Sequence, residues 1–499
     1  MDGAPCDATS VSCATPGKLK TTETARMARN YREETDNIGT WTVPADALYG
    51  IQTARALDNF NLSDVHLKDF PEIVVSLAMV KKAAALANAE LGAISARASA
   101  AIVAACDEII EGKHHDAFAV DVIQGGAGTS TNMNANEVIA NLASLKLGRR
   151  LGDHSEIHPN DTVNRSQSTN DVYPTAMRLA VMSKCAALVE ALEGVCRSFD
   201  LKAREFADIQ KVGRTQLQDA VPISLGEEFA AFSDAIQNDI RRLLQISEVL
   251  REVNLGGTAV GTGVNAPGGY QELAVARLSE IFGTPLTPHR NLLAASYDQS
   301  AFVTYSGILK RVAVKLSKIS NDLRLLSSGP LAGIGEIRLP PVQAGSSIMP
   351  GKVNPVIPEA VNQVAYEVIG RDVTVTMAAE AGQLQLNAME PVIFYSILNS
   401  TRLLTRAANM LNEKCVAGIE ADEARCAELL NKSFAMAASL VPVIGYEKAA
   451  FAAKLALKQG ISLREAIMRE GFLDAAELER HLPAQIGLSG FQPRDRVRS

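Results

Sequence analysis

Three apolar stripes with a period near 3.6 residues constrain this chain more than any other feature of it. Phe229, Phe232, Ile236, Ile240, Leu243, Ile246 and Leu250 step by three or four residues, and so do Ile308, Val312, Leu316, Ile319, Leu323 and Leu326. A shorter run has Leu188, Leu192, Val195 and Phe199. Such steps put every side chain of a run on one face of an α-helix. The stripes read as core, and they predict a bundle of long helices. Stripes of this length exceed what one copy of a chain covers, so a helical oligomer core is expected. Composition agrees: aromatics are 5 % of residues, Trp occurs once, and Ala and Leu dominate, a mix that favours helices over β-sandwiches.

At 499 residues the chain exceeds one simple core and calls for roughly two to four domains. A net charge of −7 argues against a nucleic-acid partner, which needs a basic face. No apolar run reaches about 18 residues, so no membrane span is expected. The seven cysteines (Cys6, Cys13, Cys106, Cys185, Cys196, Cys415, Cys426) are scattered without a Cys-x-x-Cys, which reads as free thiols in a reducing cytoplasm. His114-His115 is an isolated pair, and no histidine spacing suggests a metal site. Residues 1–36 carry six acids against five Lys/Arg and lack an apolar centre, so a flexible leader is expected rather than a targeting peptide.

An extended arm is expected from Ile38 to Tyr49, then helices from about Pro71 to Ala98 and from Ser99 to Gly112. Gln124–Asn136 reads as a polar loop entering a helix at Glu137. Pro174, Pro222 and Pro358 are expected near helix starts, where a missing N–H costs nothing. A smaller C-terminal region opens near Glu420, with a loop-to-helix junction at Gly445-Tyr446.

Four polar segments stand apart. They are Gly125-Gly126-Ala127-Gly128-Thr129-Ser130-Thr131-Asn132-Met133-Asn134; His158-Pro159-Asn160-Asp161 followed by Ser166-Gln167-Ser168-Thr169-Asn170-Asp171; Gly213-Arg214-Thr215-Gln216-Leu217-Gln218-Asp219; and Gly345-Ser346-Ser347-Ile348-Met349-Pro350-Gly351-Lys352-Val353-Asn354-Pro355. Singly, each reads as a turn or a helix cap. Together they offer many neutral donors, few acids and one lysine among glycines. That combination suits a small dicarboxylate held by hydrogen bonds and charge.

In this order the four segments resemble the aspartase/fumarase superfamily, over roughly Ile38 to Gly471. Gly125–Ser130, Gln216 in Gly-Arg-Thr-Gln-Leu-Gln-Asp-Ala, Ala344 before Gly345-Ser346-Ser347, Val356–Gln363 and Ala381–Asn387 resemble its ammonia-lyase branch rather than class II fumarases. The resemblance implies an all-α subunit of three domains with a central five-helix bundle. It also implies a homotetramer with a twenty-helix core and active sites shared between subunits. On that basis the N-terminal domain is expected over 37–167, the central bundle over 168–419 and a small C-terminal domain over 420–499.

The implied reaction is reversible elimination of ammonium from L-aspartate to give fumarate, through an aci-carboxylate. The alternatives are a class II fumarase, a lyase of another substituted succinate, and a non-catalytic structural relative. By resemblance Ser346 is the base. Thr129, Ser168, Thr169 and Ser347 would hold the β-carboxylate. Thr215, Lys352 and Asn354 would hold the α-carboxylate. Asn170, with Gln216, would face the amino group, and Leu386 would help close the pocket. His158, Asn160 and Asp161 match a second anion site of fumarases or, equally, a turn cap. Glu359 matches the partner of a fumarase histidine that Gln216 replaces here. No cofactor is required, no metal ligand set is visible, and activation by a divalent cation is left open. Gln216 does not titrate, so it cannot protonate a departing hydroxide, whereas an ammonium leaves already protonated.

Overall fold

The computed structural model describes residues 30–481. The expected leader lies outside the described residues up to 29, as do Cys6 and Cys13. From there β1 (Tyr31–Thr35) and β2 (Thr40–Pro44) form an antiparallel hairpin. Strand β1 thus falls inside the stretch expected as leader, and the arm is a paired ribbon. Arg32 explains this: its guanidinium donates to the carbonyls of Pro44, Ala47 and Tyr49 and pins the ribbon to the chain beyond it.

Four helices follow: α1 (Ile51–Asn59), α2 (Pro71–Glu90), α3 (Ala96–Ile110) and α4 (Thr129–Lys146). The first two long ones break earlier than the apolar pattern predicts. Gly92, at φ +70°, turns the chain, and Ser95 caps α3 by accepting from the Ala98 N–H. Helix α4 starts at Thr129, eight positions before the expected Glu137. The reason is that Asn132, Asn134, Asn136 and Glu137 are polar but buried on the helix, so their polarity imitates a loop.

The centre holds α5 (Thr169–Glu205), the hairpin β3 (Gln210–Thr215) and β4 (Gln218–Ser224), and α6 (Leu225–Val249). Then come β5 (Glu252–Val253), α7 (Tyr270–Phe282), β6 (Thr287–Pro288), α8 (Leu292–Ala295) and α9 (Ser300–Leu326). After β7 (Ile337–Arg338), α10 (Val356–Glu380) and α11 (Glu390–Lys414) complete it. The three stripes lie on α5, α6 and α9 and are buried, apart from Ile308, which is half-buried. Helix α5 packs on α6 and α11, α9 packs on α6 and α10, and α10 packs on α11, so five long helices close a ring. Phe199, Phe206, Phe229 and Phe232 meet edge to face inside it. Two-stranded ladders are the only sheets among the described residues, so the fold is mostly helical.

The prolines divide. Pro358 lies in the first turn of α10, but Pro222 lies within β4 opposite Val212, two residues before the Ser224 cap of α6. Pro174 lies inside α5. Its missing N–H releases the Asn170 carbonyl four residues back, and Asn254 Nδ2 takes that acceptor at 3.0 Å.

Strand β8 (Glu420–Ala421) pairs with β7, and helices α12 (Glu423–Lys432), α13 (Ala435–Ile444), α14 (Tyr446–Gln459), α15 (Leu463–Arg469) and α16 (Ala475–His481) follow. Leu440, Ala452, Ala456, Leu463, Ile467 and Leu478 form a separate apolar cluster there. Gly445, at φ +81°, opens α14. Cys106, Cys185, Cys196, Cys415 and Cys426 are free and buried. No single helix among the described residues is long and apolar enough to cross a membrane.

Candidate active site

The expected residues fall into three groups. The first is a packed corner where α4 and α5 begin. Gly128, at φ +86°, turns the chain into α4, and a Cβ there would lie 2.5 Å from the Tyr173 ring. Only glycine permits this contact between α4 and α5. Thr129 is exposed at the helix start, its hydroxyl donating to the Gly126 carbonyl at 2.7 Å. Ser168 caps α5: its Oγ accepts the Asn170 N–H at 3.2 Å, while the Asp171 carboxylate accepts the Ser168 N–H at 2.9 Å. Thr169 Oγ1 accepts from Asn132 Nδ2 at 3.2 Å, which leaves the threonine proton free to donate. Asn170 Nδ2 is spent on the Ala259 carbonyl at 2.7 Å, so its Oδ1 remains to accept from a ligand.

The corner has a floor that the four polar segments did not predict. Asp171 Oδ2 accepts the N–H groups of Gly256 and Thr258, at 2.9 and 3.0 Å. The floor is Gly256-Gly257-Thr258-Ala259-Val260-Gly261-Thr262-Gly263, where Gly256, Gly261 and Gly263 all have positive φ. Four glycines in eight residues were the signal for it. Burial pushes the Asp171 carboxyl up to about 6 despite its backbone hydrogen bonds and the nearby Lys81. Lys81 itself is buried on α2 and donates to Asn164 Oδ1 and Gln167 Oε1, at 2.8 and 2.9 Å. Nothing in the sequence separates it from its neighbour Lys82.

The second group is the tip of the β3–β4 hairpin. Gln216 and Leu217 form its two-residue turn, with φ +55° and +61°. Hairpins that need two left-handed residues usually carry Asn-Gly. Here two residues with full side chains hold that conformation, a strain of the kind that gathers at working sites. Thr215, Gln216 and Leu217 are exposed. The root of the hairpin is firm: buried Lys211 pairs with Glu228 and Glu336 at 2.6 and 2.9 Å, and Arg214 pairs with Glu336 at 2.9 Å.

The third group is the 345–355 loop, whose hydrogen bonds run within itself and into the first turn of α10. Gly345 donates its N–H to the Lys352 carbonyl at 3.0 Å, and Asn354 Nδ2 donates to the Gly345 carbonyl at 2.7 Å. Asn354 therefore spends its amide N–H on bracing the loop. A Cβ at Gly345 would lie 2.2 Å from the Lys352 carbonyl oxygen, so the closure requires glycine. Within the loop, Ser346 Oγ accepts two backbone N–H groups, from Ile348 at 3.2 Å and Met349 at 3.1 Å. Ser347 and Lys352 are exposed. Leu386 lies in a tight turn closed against Gln383, at the foot of α11.

Among the described residues no hydrogen bond or ion pair joins the corner, the hairpin tip and the loop. Glu359, in the first turn of α10, makes no side-chain hydrogen bond to Gln216. His158 Nδ1 accepts the N–H groups of Asn160 and Asp161, both at 3.2 Å, which is a cap on the short turn Pro159–Val163. No group of three or more His, Cys, Asp or Glu among the described residues is arranged to hold a metal ion.

Residues 39–370 match the family described as "Lyase", and residues 436–485 match "Fumarase C C-terminus". The chain belongs to this lyase family. An aspartate ammonia-lyase of Pseudomonas fluorescens is 56 % identical over 453 residues, covering 91 % of this chain and 95 % of that one. A cobalt-bound crystal structure titled fumarate lyase:delta crystallin, from Brucella melitensis, superposes with a TM-score of 0.89 at 58 % identity. It covers 91 % of this chain and 99 % of that one. A class II fumarase from Schistosoma mansoni superposes at 0.88 with 35 % identity, covering 91 % and 98 %. The lyase match spans every expected site residue except Leu386.

Proposed function

We propose that this chain is an aspartate ammonia-lyase that eliminates ammonium from L-aspartate to give fumarate, with Ser346 as the base. The observation that carries the reading is the pair of N–H groups, from Ile348 and Met349, aimed at Ser346 Oγ. A serine hydroxyl is a feeble base unless its alkoxide is stabilised, and two converging amides supply that stabilisation without a histidine. The alkoxide takes the proton from the carbon beside the β-carboxylate. The electron pair moves onto that carboxylate, which becomes an aci-carboxylate bearing a second negative charge. The C–N bond then breaks, the electrons return to form the double bond, and the nitrogen leaves from an ammonium as ammonia, which takes up a proton in water.

Most of the barrier lies in the doubly charged carboxylate, so donors aimed at it matter most. Ser168, Thr169 and Ser347 are proposed to supply them, joined by Thr129 once its hydroxyl turns from the Gly126 carbonyl to the substrate. Thr215 and Lys352, with Asn354 close by, would grip the α-carboxylate. The Asn170 Oδ1 left open suits an ammonium N–H, with Gln216 beside it and Leu386 at the rim. The reading calls for no cofactor; a divalent-cation titration measures whether one activates.

The three groups would complete one another across copies, as a homotetramer with shared sites. In support, the bundle presents apolar side chains outward: Leu244 and Val249 on α6, Val314 on α9, and Tyr366, Val373 and Met377 on α10. A cytoplasmic enzyme taking a small dicarboxylate, with neither nucleic acid nor membrane as partner, fits this reading. Fumarate absorbance, followed with L-aspartate and separately with L-malate, tests it. Turnover of aspartate alone is expected. Turnover of malate alone overturns the substrate, and turnover of neither overturns the activity.

A further inference from the structure

Lys81 sits beneath the packed corner and takes no part in the chemistry proposed above. It is fully buried on α2, a helix otherwise lined there by Leu77, Val80, Ala84 and Ala85. An ammonium is costly in such a place unless it is paired and hydrogen-bonded. Among the described residues no carboxylate lies within ion-pair distance of it. Its partners are two neutral oxygens, Asn164 Oδ1 and Gln167 Oε1, in the loop that leads into Ser168. Asn132 Nδ2 shares the same Asn164 Oδ1 at 3.2 Å and reaches Thr169 Oγ1 at 3.2 Å. The buried Asn132 Oδ1 has no partner. The ammonium is thus two side chains from the hydroxyl at which the corner is open.

We infer that Lys81 is a positioning residue: through Asn164 and Asn132 it fixes the Thr169 hydroxyl, and it lends its charge to a dicarboxylate bound at the corner. The inference rests on the reading of Thr169 as a carboxylate ligand. Its physics is that of a cation held in a poorly solvating site. Burial pulls the Lys81 ammonium down to about 7, against the opposing pull of the Asp171 carboxylate on α5. Burial pushes the Cys106 thiol up, so it stays protonated, and it also pushes up the Tyr270 hydroxyl on α7, which faces Asp171. Two groups near the corner are therefore poised around neutrality, Asp171 and Lys81. A bound dianion favours the protonated form of each, so binding is expected to take up protons.

Calorimetry with succinate, the saturated dicarboxylate of the same carbon skeleton, reads both effects when run in two buffers of different ionisation enthalpy. At pH 7.5, about half a unit above the lysine midpoint, the intact protein is expected to bind succinate with net proton uptake. In Lys81→Met the dissociation constant should rise about tenfold or more and the uptake should fall to the smaller share left to Asp171, with KM for L-aspartate rising in parallel. Lys81→Arg, charged at every working pH, should restore most of the affinity but not the uptake. Lys82→Met, one residue along, should change neither. Asn164→Ala, which keeps the ammonium and cuts the relay, should weaken binding while uptake persists.

Succinate binding in folded Lys81→Met that matches the intact protein overturns the inference, as does uptake that persists there undiminished and so belongs to Asp171 alone. If Lys81→Met does not fold, unchanged affinity in Asn164→Ala overturns it. Absence of both succinate binding and aspartate turnover in the unaltered protein overturns the function and the lysine role together.

Discussion

The corner at the head of α4 and α5 and the 345–355 loop are both polar, glycine-bearing and assigned to the same substrate, yet they are built in opposite ways. In the corner, Asp171 ties the start of α5 to the 256–258 backbone, Asn170 ties it to Ala259, and Gly128 lets Tyr173 press against α4. The loop holds only itself, by Gly345, Ser346, Lys352 and Asn354, and leaves Ile348 83 % exposed. A carboxylate ligand set gains from rigidity before the substrate arrives, because every donor already in place lowers the cost of ordering it later. A base on a self-contained loop needs only its own alkoxide stabilised, and the loop can close as a unit on whatever surface supplies the rest.

Substitutions on the two sides sharpen that contrast. The largest effect is expected from Ser346→Ala, which removes the proposed base while leaving folding and assembly intact. Turnover of L-aspartate should fall by roughly 10³-fold or more, as loss of a general base does. Near-normal fumarate production would break the assignment of chemistry to the loop. Gly128→Ala should come next, on the corner side. It combines a left-handed backbone with a contact against the Tyr173 ring, together about 2–4 kcal/mol of stability, read from the denaturant midpoint.

Glu390, whose carboxyl opens α11, gives a test through pH. It is buried, its Oε1 accepts from Gln299 Nε2 at 2.8 Å, and burial pushes it up to about 8 from an ordinary 4.5. Above about pH 4.5 the unfolded chain has released this proton and the folded chain has not. The unfolded state therefore binds fewer protons, and folding stability should fall as pH rises from there through the folded value near 8. The contribution is at most about 1.4 kcal/mol per pH unit. Glu390→Gln should flatten this slope between pH 5 and 8 in equilibrium denaturation, and an unchanged slope would mean that another group carries it. The smallest effect is expected from Gly351→Ala. Its φ is +80° but nothing lies within 4 Å of the added methyl, so a cost of about 1 kcal/mol follows from backbone alone. If Gly351→Ala destabilised the protein as much as Gly128→Ala, the distinction between a packed corner and a free loop would fail.

The difference between the two regions also decided how much of each was legible. Long stripes on α5, α6 and α9 declared the bundle, because burial on one face leaves a period in the sequence. The loop declared itself by the density of glycine, serine and lysine in eleven residues. The corner was legible only in part. Ser168 and Thr169 look like a helix cap; Ser168 is one, and Thr169 opens the helix behind it. Asn132, Asn134 and Asn136 look like loop because polarity ordinarily means solvent, and here they are sealed in a helix. Lys81 was invisible, since its identity matches that of Lys82 and only packing distinguishes them. Asp171 appeared within a polar run, but its partners are about 85 residues away, and no local pattern records a contact of that range.

The Gln216–Leu217 turn has a consequence for how the reaction type can change. Its left-handed pair is enforced by the β3–β4 ladder and by the Lys211–Glu336–Arg214 anchor at its base. The side chain at 216 contributes nothing to holding the hairpin. The tip therefore behaves as a socket: a side chain with a different protonation chemistry can be fitted at 216 without rebuilding its mount. On the proposed assignment of Gln216 beside the leaving group, selectivity and integrity of the fold are separable, and one position can drift between leaving groups while the scaffold stays as it is.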